Sequence, residues 1–434
     1  MANRSDNGET NMVSDEIVAA IDVGTTKVCT IVGRKVGEDG VQILGYSTAK
    51  NSGMRKGVVS DVSAAERAVR VSIKAVEDKT GHKVDSAFVG VTGAHVRFEN
   101  RHERLEVENR KGIVTADDVA SAPKKLSESV DVPGRTVIHA NSISYTLDGE
   151  SGIRHPVGMH SKEMQVEAHL VTGANTFIDR LVDVIEVSGV KINSLVLEPL
   201  ASGMAVLTAK ERQRGAVIVD IGGGTTDIVA FKGSGIYYTG VIPVGGYQFT
   251  NDIALSFSTT FEAAEAIKLE HGSAEFQPAS AGEQILVPVV GRDKHLKVSR
   301  LEICQLVRER AMELARMIKV KLDSERMGDV EDSVLILTGG ASSMPGFAEL
   351  VQKSVGIDVR HGIPDVHGTI PAELRDPGYA TAVGTLLWGL TEHVSDEAGF
   401  GVRNGNGNGH NGKHAAESTG FIGNLKRRFG ALRS

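Results

Sequence analysis

IVAAIDVGTT at residues 17–26 recurs as VIVDIGGGTTD at residues 217–227, and this repetition decides the fold. Each stretch begins with an apolar run that has the length and the valine and isoleucine content of a buried strand, and small residues follow it. A third apolar run leads into a glycine-rich turn in VLILTGGASSMPG at residues 334–346. Glycine turns after buried strands let a phosphate or a base approach the backbone. The sequence therefore predicts an α/β fold in which two related domains enclose a nucleotide cleft.

The small residues after the first two strands are typical of phosphate-binding loops. Glycines leave backbone N–H groups free to face phosphate oxygens, threonine hydroxyls add donors, and a lysine adds positive charge. The predicted phosphate-binding residues are Gly24, Thr25, Thr26 and Lys27 in the first loop and Gly222, Gly223, Gly224, Thr225 and Thr226 in the second. Because Mg²⁺ needs only one or two carboxylates besides phosphate and water, Asp22 and Asp220 are predicted to hold it through water. The predicted ligands are thus ATP and Mg²⁺.

A single turn of this kind has a simpler explanation, because aspartate and glycine after a strand also form ordinary hairpins. Three such turns in this order favour the nucleotide site instead. Two other phosphate-binding folds are excluded by their motifs. The sequence has no GxxxxGK[ST] stretch, and no GxGxxG opens a helix after the first strand.

Two further segments extend this pattern, EPLASG at residues 198–203 and DPGYATAVG at residues 376–384. They resemble the connecting segments of the actin, DnaK-chaperone and sugar-kinase ATPase superfamily, and the resemblance covers residues 15–394. It implies adenine contacts at Gly339 and Gly340, ribose or base contacts at Glu265 and Lys268, and catalytic roles for Glu198, Asp220 and Asp227. By this resemblance, Glu198 occupies the position at which superfamily ATPases have an acid that orients water. Since some relatives lack that acid, the resemblance implies slow hydrolysis.

A segment at residues 85–165 interrupts the first domain. It contains the strand-like stretches SAFVGVTGAHVRFENR, TVIHANSISYTLDG and KEMQVEAHLVTG and a helical pattern in VTADDVASAPKKL. The position of this segment and the phrases VGVTGAHV and MQVEAHLVTG resemble the FtsA family of bacterial division proteins, which carries an inserted subdomain here. The implied organisation is a disordered start at 1–14, a first-domain core at 15–84, 166–197 and 376–394, a second-domain core at 198–245 and 325–375, and a second-domain subdomain at 246–324.

Residues 61–79 are predicted to form a long amphipathic helix. Ser63 and Glu66 have the spacing of a capping box near its start. The apolar residues on one face of this helix are predicted to belong to the core.

Residues 299–322 are predicted to form a second long helix, with Ser299 and Glu302 spaced as its capping box. Arg310 and Glu313 lie off its apolar stripe, and a solvated, salt-bridged face explains their position most simply. The family resemblance implies instead that these two residues receive the C-terminal tail peptide of FtsZ.

Composition limits the classes of function. A chain of 434 residues with 41% hydrophobic residues is long enough for two domains with cores. A net charge of −7 argues against a nucleic-acid partner, which requires a basic surface.

Cys29 and Cys304 lie in apolar patterns and are predicted to be buried thiols of a cytosolic protein. The histidines lack the spacing of a zinc motif, and neither a signal peptide nor a spanning helix is predicted.

The composition changes sharply after residue 394. Residues 395–418 include GVRNGNGNGHNGKH and are predicted to be a flexible linker. Residues 419–434 are predicted to form an amphipathic helix that binds an anionic membrane surface. Its apolar positions are Phe421, Ile422, Leu425, Phe429 and Leu432, and its basic positions include Lys426, Arg427 and Arg428. A disordered basic tail, or a helix that docks on a protein, remains the alternative.

The resemblance implies an ATP-binding division protein that polymerises with itself at the cytoplasmic face of the cell membrane. It would anchor the FtsZ ring through the terminal helix and recruit later division proteins. A PilM-type pilus-assembly adaptor is one alternative, since it shares the fold and the insertion but is expected to lack the linker and terminal helix. A small-molecule kinase is another, although the sequence shows no sugar-specific loop.

Overall fold

The computed structural model describes residues 17–397 except 38–39, 108–110, 131, 233–234, 276–281, 292–293, 325–332 and 367. The strands are β1 (Ile17–Val23), β2 (Lys27–Val36), β3 (Gly40–Lys50), β4 (Met54–Arg55), β5 (Val58–Val59), β6 (Ser86–Val91), β7 (Arg97–Glu106), β8 (Arg135–Leu147), β9 (Glu150–Ile153), β10 (Glu163–Ala174), β11 (Lys191–Leu197), β12 (Ala216–Ile221), β13 (Thr226–Lys232), β14 (Gly235–Ile242), β15 (Gln284–Pro288), β16 (His295–Ser299), β17 (Val334–Thr338), β18 (Val359–His361) and β19 (Gly368–Thr369). The helices are α1 (Val62–Thr80), α2 (Ala116–Ser129), α3 (Asn175–Glu186), α4 (Glu198–Val206), α5 (Ala209–Arg214), α6 (Gly246–Phe257), α7 (Phe261–His271), α8 (Arg300–Ser324), α9 (Phe347–Val355) and α10 (Ala380–Glu397).

The first domain is built on a sheet with the strand order β11-β6-β1-β2-β3-β19. Strand β1 runs antiparallel to β2 and parallel to β6. Because side chains alternate along a strand, β1 contributes to two cores. Ile21 and Val23 pack with α1 and α3, whereas Ala20 packs with α4 and α10 on the opposite face. This burial on both faces explains the continuous apolar run in the sequence.

The second domain repeats this arrangement around a sheet with the order β14-β13-β12-β17-β18. Strand β12 is antiparallel to β13 and parallel to β17, as β1 is to its neighbours. One face of the sheet is covered by α6, α7, α8 and α9, and the other shares the core of α4 and α10. The prediction of an α/β fold with two related domains is confirmed.

Helices α4 and α10 cross between the two sheets and connect the domains. A β-carbon at Gly384 of α10 would lie 1.7 Å from the carbonyl oxygen of Ala201 in α4. Only glycine therefore permits this crossing, which holds the two domains together next to the cleft.

The inserted subdomain is a separate sheet with the order β7-β10-β8-β9, covered by α2. Its core contains Leu126, Met164 and Leu170, all fully buried. The predicted helix is confirmed, but the predicted bounds at 85–165 are wrong at both ends. Strand β6 pairs with β1 in the sheet of the first domain, and β10 continues the inserted sheet to Ala174.

Both predicted long helices form. The cap of α1 is Asp61, whose side chain accepts the N–H of Ala64, so the predicted capping box of Ser63 and Glu66 is wrong. At the start of α8, Glu302 accepts the N–H of Ser299 as predicted, but the Ser299 hydroxyl accepts the N–H of Leu301 instead. No helix among the described residues has an apolar stretch long enough to cross a membrane.

The two cysteines, Cys29 and Cys304, are free and buried, as predicted. Burial raises the pKa of the Cys29 thiol to about 12, so this group stays protonated and unreactive.

Candidate nucleotide site

A cavity of about 460 Å³ lies where the loops after β1, β12 and β17 meet. The predicted residues that line it are Asp22, Gly24, Thr25, Thr26, Lys27, Glu198, Asp220, Gly222, Gly223, Gly224, Thr225, Asp227, Glu265, Lys268, Gly339 and Gly340. The structure thus brings together residues from five segments of the chain, at 22–27, 198, 220–227, 265–268 and 339–340. Thr226 is the exception among the residues predicted to bind the nucleotide. It is fully buried, and its hydroxyl donates to the carbonyl of Val244, so the predicted phosphate contact of Thr226 is wrong.

Backbone hydrogen bonds fix the two predicted phosphate loops in place. In the second loop, the N–H of Gly222 donates to the carbonyl of Thr225 over 2.9 Å. The start of α6 packs against this loop, because the N–H of Tyr247 donates to the carbonyl of Gly223 over 2.7 Å. In the first loop, the Asn51 amide donates to the carbonyl of Gly24 over 2.8 Å. Both loops are therefore ordered by the protein itself.

Hydroxyl groups hold the two aspartates of the second domain. Ser202 and Thr381, one on each connecting helix, donate to Oδ2 of Asp220, the Thr381 bond being 3.0 Å long. Thr225 donates to Oδ2 of Asp227 over 2.8 Å, and Thr92 of the first domain donates to its Oδ1. Each carboxylate is thus oriented by residues from two different elements.

Five carboxyl groups line this cavity, and burial raises the pKa of four of them, Asp22, Glu198, Asp220 and Asp227. The pKa values of Asp22 and Asp227 rise from 3.8 to about 7. Burial raises the pKa of Glu198 well above 4.5, and the neighbouring aspartates raise it further. The pKa of Asp220 is also raised by burial, although the hydroxyls of Ser202 and Thr381 lower it in part. Removing these groups from water disfavours their charged forms.

This acidic cluster fits a divalent cation, which would favour the charged carboxylates. Lys27 counteracts the effect of burial on Asp22, but its ammonium lies 3.4 Å from the centre of the Tyr379 ring. Among the described residues, no group of three or more His, Cys, Asp or Glu side chains is arranged as a metal cage. Mg²⁺ held here would take its remaining ligands from phosphate and water.

The third loop, which follows β17, also lines the cavity. Gly339 has φ of 82°, and a β-carbon there would lie 2.3 Å from Oδ1 of Asp220, so only glycine fits. On α7, the Lys268 ammonium donates to Glu265 over 2.7 Å and to the Thr250 hydroxyl over 3.0 Å. This network fixes the two residues that the resemblance assigns to the ribose or base.

Sequence reasoning missed the hydroxyls of Thr92, Ser202 and Thr381. Ser202 and Thr381 lie in EPLASG and DPGYATAVG, so the connecting segments were a signal for them. Thr92 follows β6 directly, and its role was hidden because the alternating pattern continues into β7.

A second cavity of about 400 Å³ lies between α6 and α8. It is lined by Asp252, Leu255, Ser256, Leu306, Glu309, Arg310 and Glu313. Arg310 donates to both oxygens of Asp252, over 2.7 and 2.9 Å, and also to Glu313. The salt-bridged part of the simpler expectation is confirmed for Arg310, but its side chain is only 24% exposed and joins two helices, so the face is not fully solvated there. We call this cavity the Arg310 groove.

The fold is similar to solved structures with actin-like architecture. A structure of the PilM-PilN type IV pilus biogenesis complex matches with a TM-score of 0.59 and 17% identity over 86% of this chain and 98% of that chain. MreB 5 of Spiroplasma citri bound to AMPPNP matches with a TM-score of 0.55 and 15% identity over 89% and 99%. The protein thus has an actin-like ATPase fold.

Sequence comparison gives the family. Residues 217–384 match the family profile "Cell division protein FtsA", and residues 93–172 match "SHS2 domain inserted in FTSA". The "Cell division protein FtsA" of Pseudomonas aeruginosa is 33% identical over 378 residues, which is 87% of this chain and 90% of that protein. The chain belongs to the FtsA family of cell division proteins. The FtsA resemblance is therefore confirmed, and the PilM-type alternative is not favoured.

Proposed function

We propose that this protein binds Mg-ATP between its two domains and polymerises at the cytoplasmic face of the cell membrane. There it anchors the FtsZ ring and recruits later division proteins at the division site. The observation that supports the ATP site is that two glycine loops and the carboxyl groups of Asp22, Glu198, Asp220 and Asp227 line one cavity. MreB 5 of Spiroplasma citri, which shares the fold, was solved with AMPPNP, an ATP analogue. Membership of the FtsA family supports the division role.

In this proposal, each part of the cavity takes one part of the nucleotide. The glycine loops after β1 and β12 bind the phosphates through backbone N–H groups, with Lys27 adding positive charge. Asp22 and Asp220 hold Mg²⁺ through water. Gly339 and Gly340 line the adenine, and the Glu265–Lys268 pair faces the ribose or base.

Hydrolysis is proposed to be slow. Glu198 is placed to orient water and Asp227 lies beside the second phosphate loop, but burial raises the pKa of both. Slow hydrolysis is what the family resemblance implies, since some relatives lack an acid at the position of Glu198. ATP then acts mainly as a ligand that closes the two domains and favours the polymer. Turnover near the ~10 s⁻¹ that is typical of enzymes would favour the kinase alternative.

The Arg310 groove is the proposed site for the C-terminal peptide of FtsZ. Arg310 and Glu313 stand at its side, and Leu255 is 72% exposed there. An exposed leucine beside a cation that is held by carboxylates offers both an apolar contact and an exchangeable ion pair. This combination suits a peptide with apolar and acidic side chains.

Leu255→Glu is expected to weaken binding of a labelled FtsZ C-terminal peptide by about tenfold or more, measured by fluorescence anisotropy. The change removes apolar contact area and places a negative charge beside Asp252 and Glu309. Val320→Glu is the matched control, because Val320 is 67% exposed on α8 and lies outside the groove. Equal affinities of all three proteins would exclude the groove as the peptide site.

The C-terminal segment is the proposed membrane anchor. Residues 398–434 lie outside the described residues, so this proposal rests on their sequence. The apolar positions of residues 419–434 supply burial in lipid, and the basic positions supply attraction to anionic headgroups. One copy binds weakly, whereas a polymer presents many copies and binds strongly.

Phe429→Glu is expected to lower binding to phosphatidylglycerol-containing vesicles by about tenfold or more at all salt concentrations, because it removes apolar burial. Replacing Lys426 and Arg427 by alanine is expected to weaken binding mainly at low salt, where screening is least. Cosedimentation measures both effects. Deletion of residues 420–434 should leave ATP and peptide binding intact. If the deleted protein still sediments with vesicles, this segment is not the anchor.

Cosedimentation with and without ATP and FtsZ peptide tests the whole proposal. We expect ATP to increase vesicle binding, because polymers present many anchors, and we expect the vesicle-bound protein to retain the peptide. A protein that binds ATP but does not sediment with vesicles and does not retain the FtsZ peptide would be inconsistent with a tether.

A further inference from the structure

His139 of the inserted subdomain contacts the chain immediately before the nucleotide cavity. It lies on β8, and its Nε2 accepts the N–H of Leu197 over 2.9 Å. Leu197 ends β11, and the next residue is Glu198, which lines the cavity. Because the donor is a backbone N–H, Nε2 carries the lone pair and the ring proton lies on Nδ1. Burial lowers the pKa of His139 to about 4, so the ring stays neutral.

The sheet topology explains why an acceptor is needed here. Strand β11 lies at one edge of the first-domain sheet and pairs there with β6. At the junction with α4, Leu197 is the N-cap residue, and its own side chain makes no capping hydrogen bond. A buried N–H without an acceptor is costly, and His139 supplies that acceptor from another subdomain. The histidine thereby fixes the backbone from which the Glu198 side chain extends.

Glu198 has little freedom once this backbone is placed. A β-carbon at Gly90 would lie 3.3 Å from Cγ of Glu198, so β6 approaches the side chain closely on one side. Small displacements of a catalytic group change rates strongly, by as much as about 100-fold for about 1 Å. The contact at Leu197 is therefore well placed to influence the carboxylate in the cavity.

The same histidine packs against the single tryptophan of the sequence, Trp388. The two rings are 4.9 Å apart between centroids, and Trp388 lies on α10, which crosses α4. The indole Nε1 is buried and has no hydrogen-bond partner among the described residues. Trp388 fluorescence therefore reports directly on the surroundings of His139.

We propose that His139 is a positioning residue through which the inserted subdomain sets the position of Glu198 in the nucleotide site. This inference rests on the proposed ATP-binding function. A partner that moves the inserted subdomain would then alter ATP turnover without touching the nucleotide. The competing explanation is a purely structural role, in which His139 only satisfies a backbone donor.

Three variants separate these explanations. His139→Gln keeps an acceptor at similar reach, whereas His139→Leu removes the acceptor at similar volume. His169→Leu is the matched control, because His169 is also buried in the inserted sheet but lies next to Asn100 and Thr239 instead. Single-turnover ATP hydrolysis and Mg-ATP affinity by calorimetry are measured for each variant.

His139→Leu is expected to lower the hydrolysis rate by about tenfold while Mg-ATP affinity changes by less than about twofold. His139→Gln should restore most of the rate, and His169→Leu should leave it unchanged. In the Glu198→Gln background, His139→Leu should have no further effect, because both changes act through one carboxylate. Equal losses of hydrolysis rate in all three variants would overturn the inference. So would a further loss of rate when His139→Leu is added to Glu198→Gln.

Trp388 emission provides a test that needs no hydrolysis and no destabilised variant. We expect saturating Mg-ATP to change the emission of the wild-type protein and to change it less in Glu198→Gln. Calorimetric binding with unchanged emission would overturn this inference alone. No calorimetric binding at all would overturn it together with the proposed ATP site.

Discussion

Asp220→Asn is expected to lower the affinity for ATP in the presence of Mg²⁺ by about 100-fold, since outer-shell carboxylates contribute strongly to metal binding. The amide can still accept hydrogen bonds from Ser202 and Thr381, so the cavity should keep its shape. The charge that would hold Mg²⁺ is lost. Affinity measured in EDTA should change little, because the glycine loops bind phosphate without the metal. Calorimetry with and without Mg²⁺ separates the two contributions.

The same substitution should leave the nucleotide-free protein at least as stable as the wild type. Burial raises the pKa of Asp220, which means that the folded state disfavours its charge. Asp376→Asn is a suitable control. Asp376 is exposed and lies near the cavity, and its side chain accepts the N–H of Gly378. An Asp220→Asn protein that is folded and binds Mg-ATP like the wild type would contradict the metal assignment.

The sequence was sufficient to predict the loops of the site, because each follows a strand that is buried on both faces. Strand periodicity also explains why the predicted phosphate contact of Thr226 was wrong. Thr225 and Asp227 are two residues apart, and their side chains hydrogen-bond to each other at the cavity. Thr226 lies between them and must point to the opposite face. A glycine and threonine motif alone does not state where the turn ends and the strand alternation begins.

The bounds of the inserted subdomain were hidden for a different reason. The apolar alternation continues from β6 through β7, but the chain leaves one sheet for another between Val91 and Arg97. Periodicity reports which faces are buried and not which sheet buries them. The backbone of Gly93, with φ of 123°, marks this change of direction.

The hydrogen bonds that Thr92, Ser202 and Thr381 make could not be predicted from the sequence either, although the segments that contain Ser202 and Thr381 could be recognised. Thr92 is 135 residues from Asp227 and Thr381 is 161 residues from Asp220, whereas Ser202 is 18 residues from Asp220 but on a different element. Their contribution depends on how the two domains are oriented, which the local pattern does not determine. The same holds for His139, whose acceptor role requires the inserted sheet to lie against the free edge of β11.

The stability of the nucleotide-free protein is expected to fall as the pH rises from 6.5 to about 8. The pKa values of Asp22 and Asp227 are about 7 in the folded state and near 3.8 when unfolded. Around neutral pH, the folded state therefore binds more protons than the unfolded state. Stability falls with rising pH wherever the folded state holds protons that the unfolded state has already released, so the slope is negative until the folded carboxyl groups have ionised.

Buried histidines determine the lower end of the pH range in which stability is expected to fall. Burial lowers the pKa values of His95, His139 and His169 from 6.5 to about 4. Below pH 6.5, the unfolded chain takes up protons at these histidines, which opposes the effect of the carboxyl groups. Above that pH, the histidines are mostly neutral in both states. The carboxyl groups then determine the slope.

Urea unfolding in EDTA should show a loss on the order of 2 kcal/mol between pH 6.5 and about 8, because several carboxyl groups must ionise in the folded state. Glu198→Gln should reduce this loss, since it removes one of the titrating groups. Mg-ATP should bind more tightly over the same pH range, because binding of the cation requires ionised carboxylates and releases protons. Stability that is constant or rises with pH would mean that these carboxyl groups are already ionised in the folded protein. The acidic cluster would then have an internal compensating charge and no need of a bound cation.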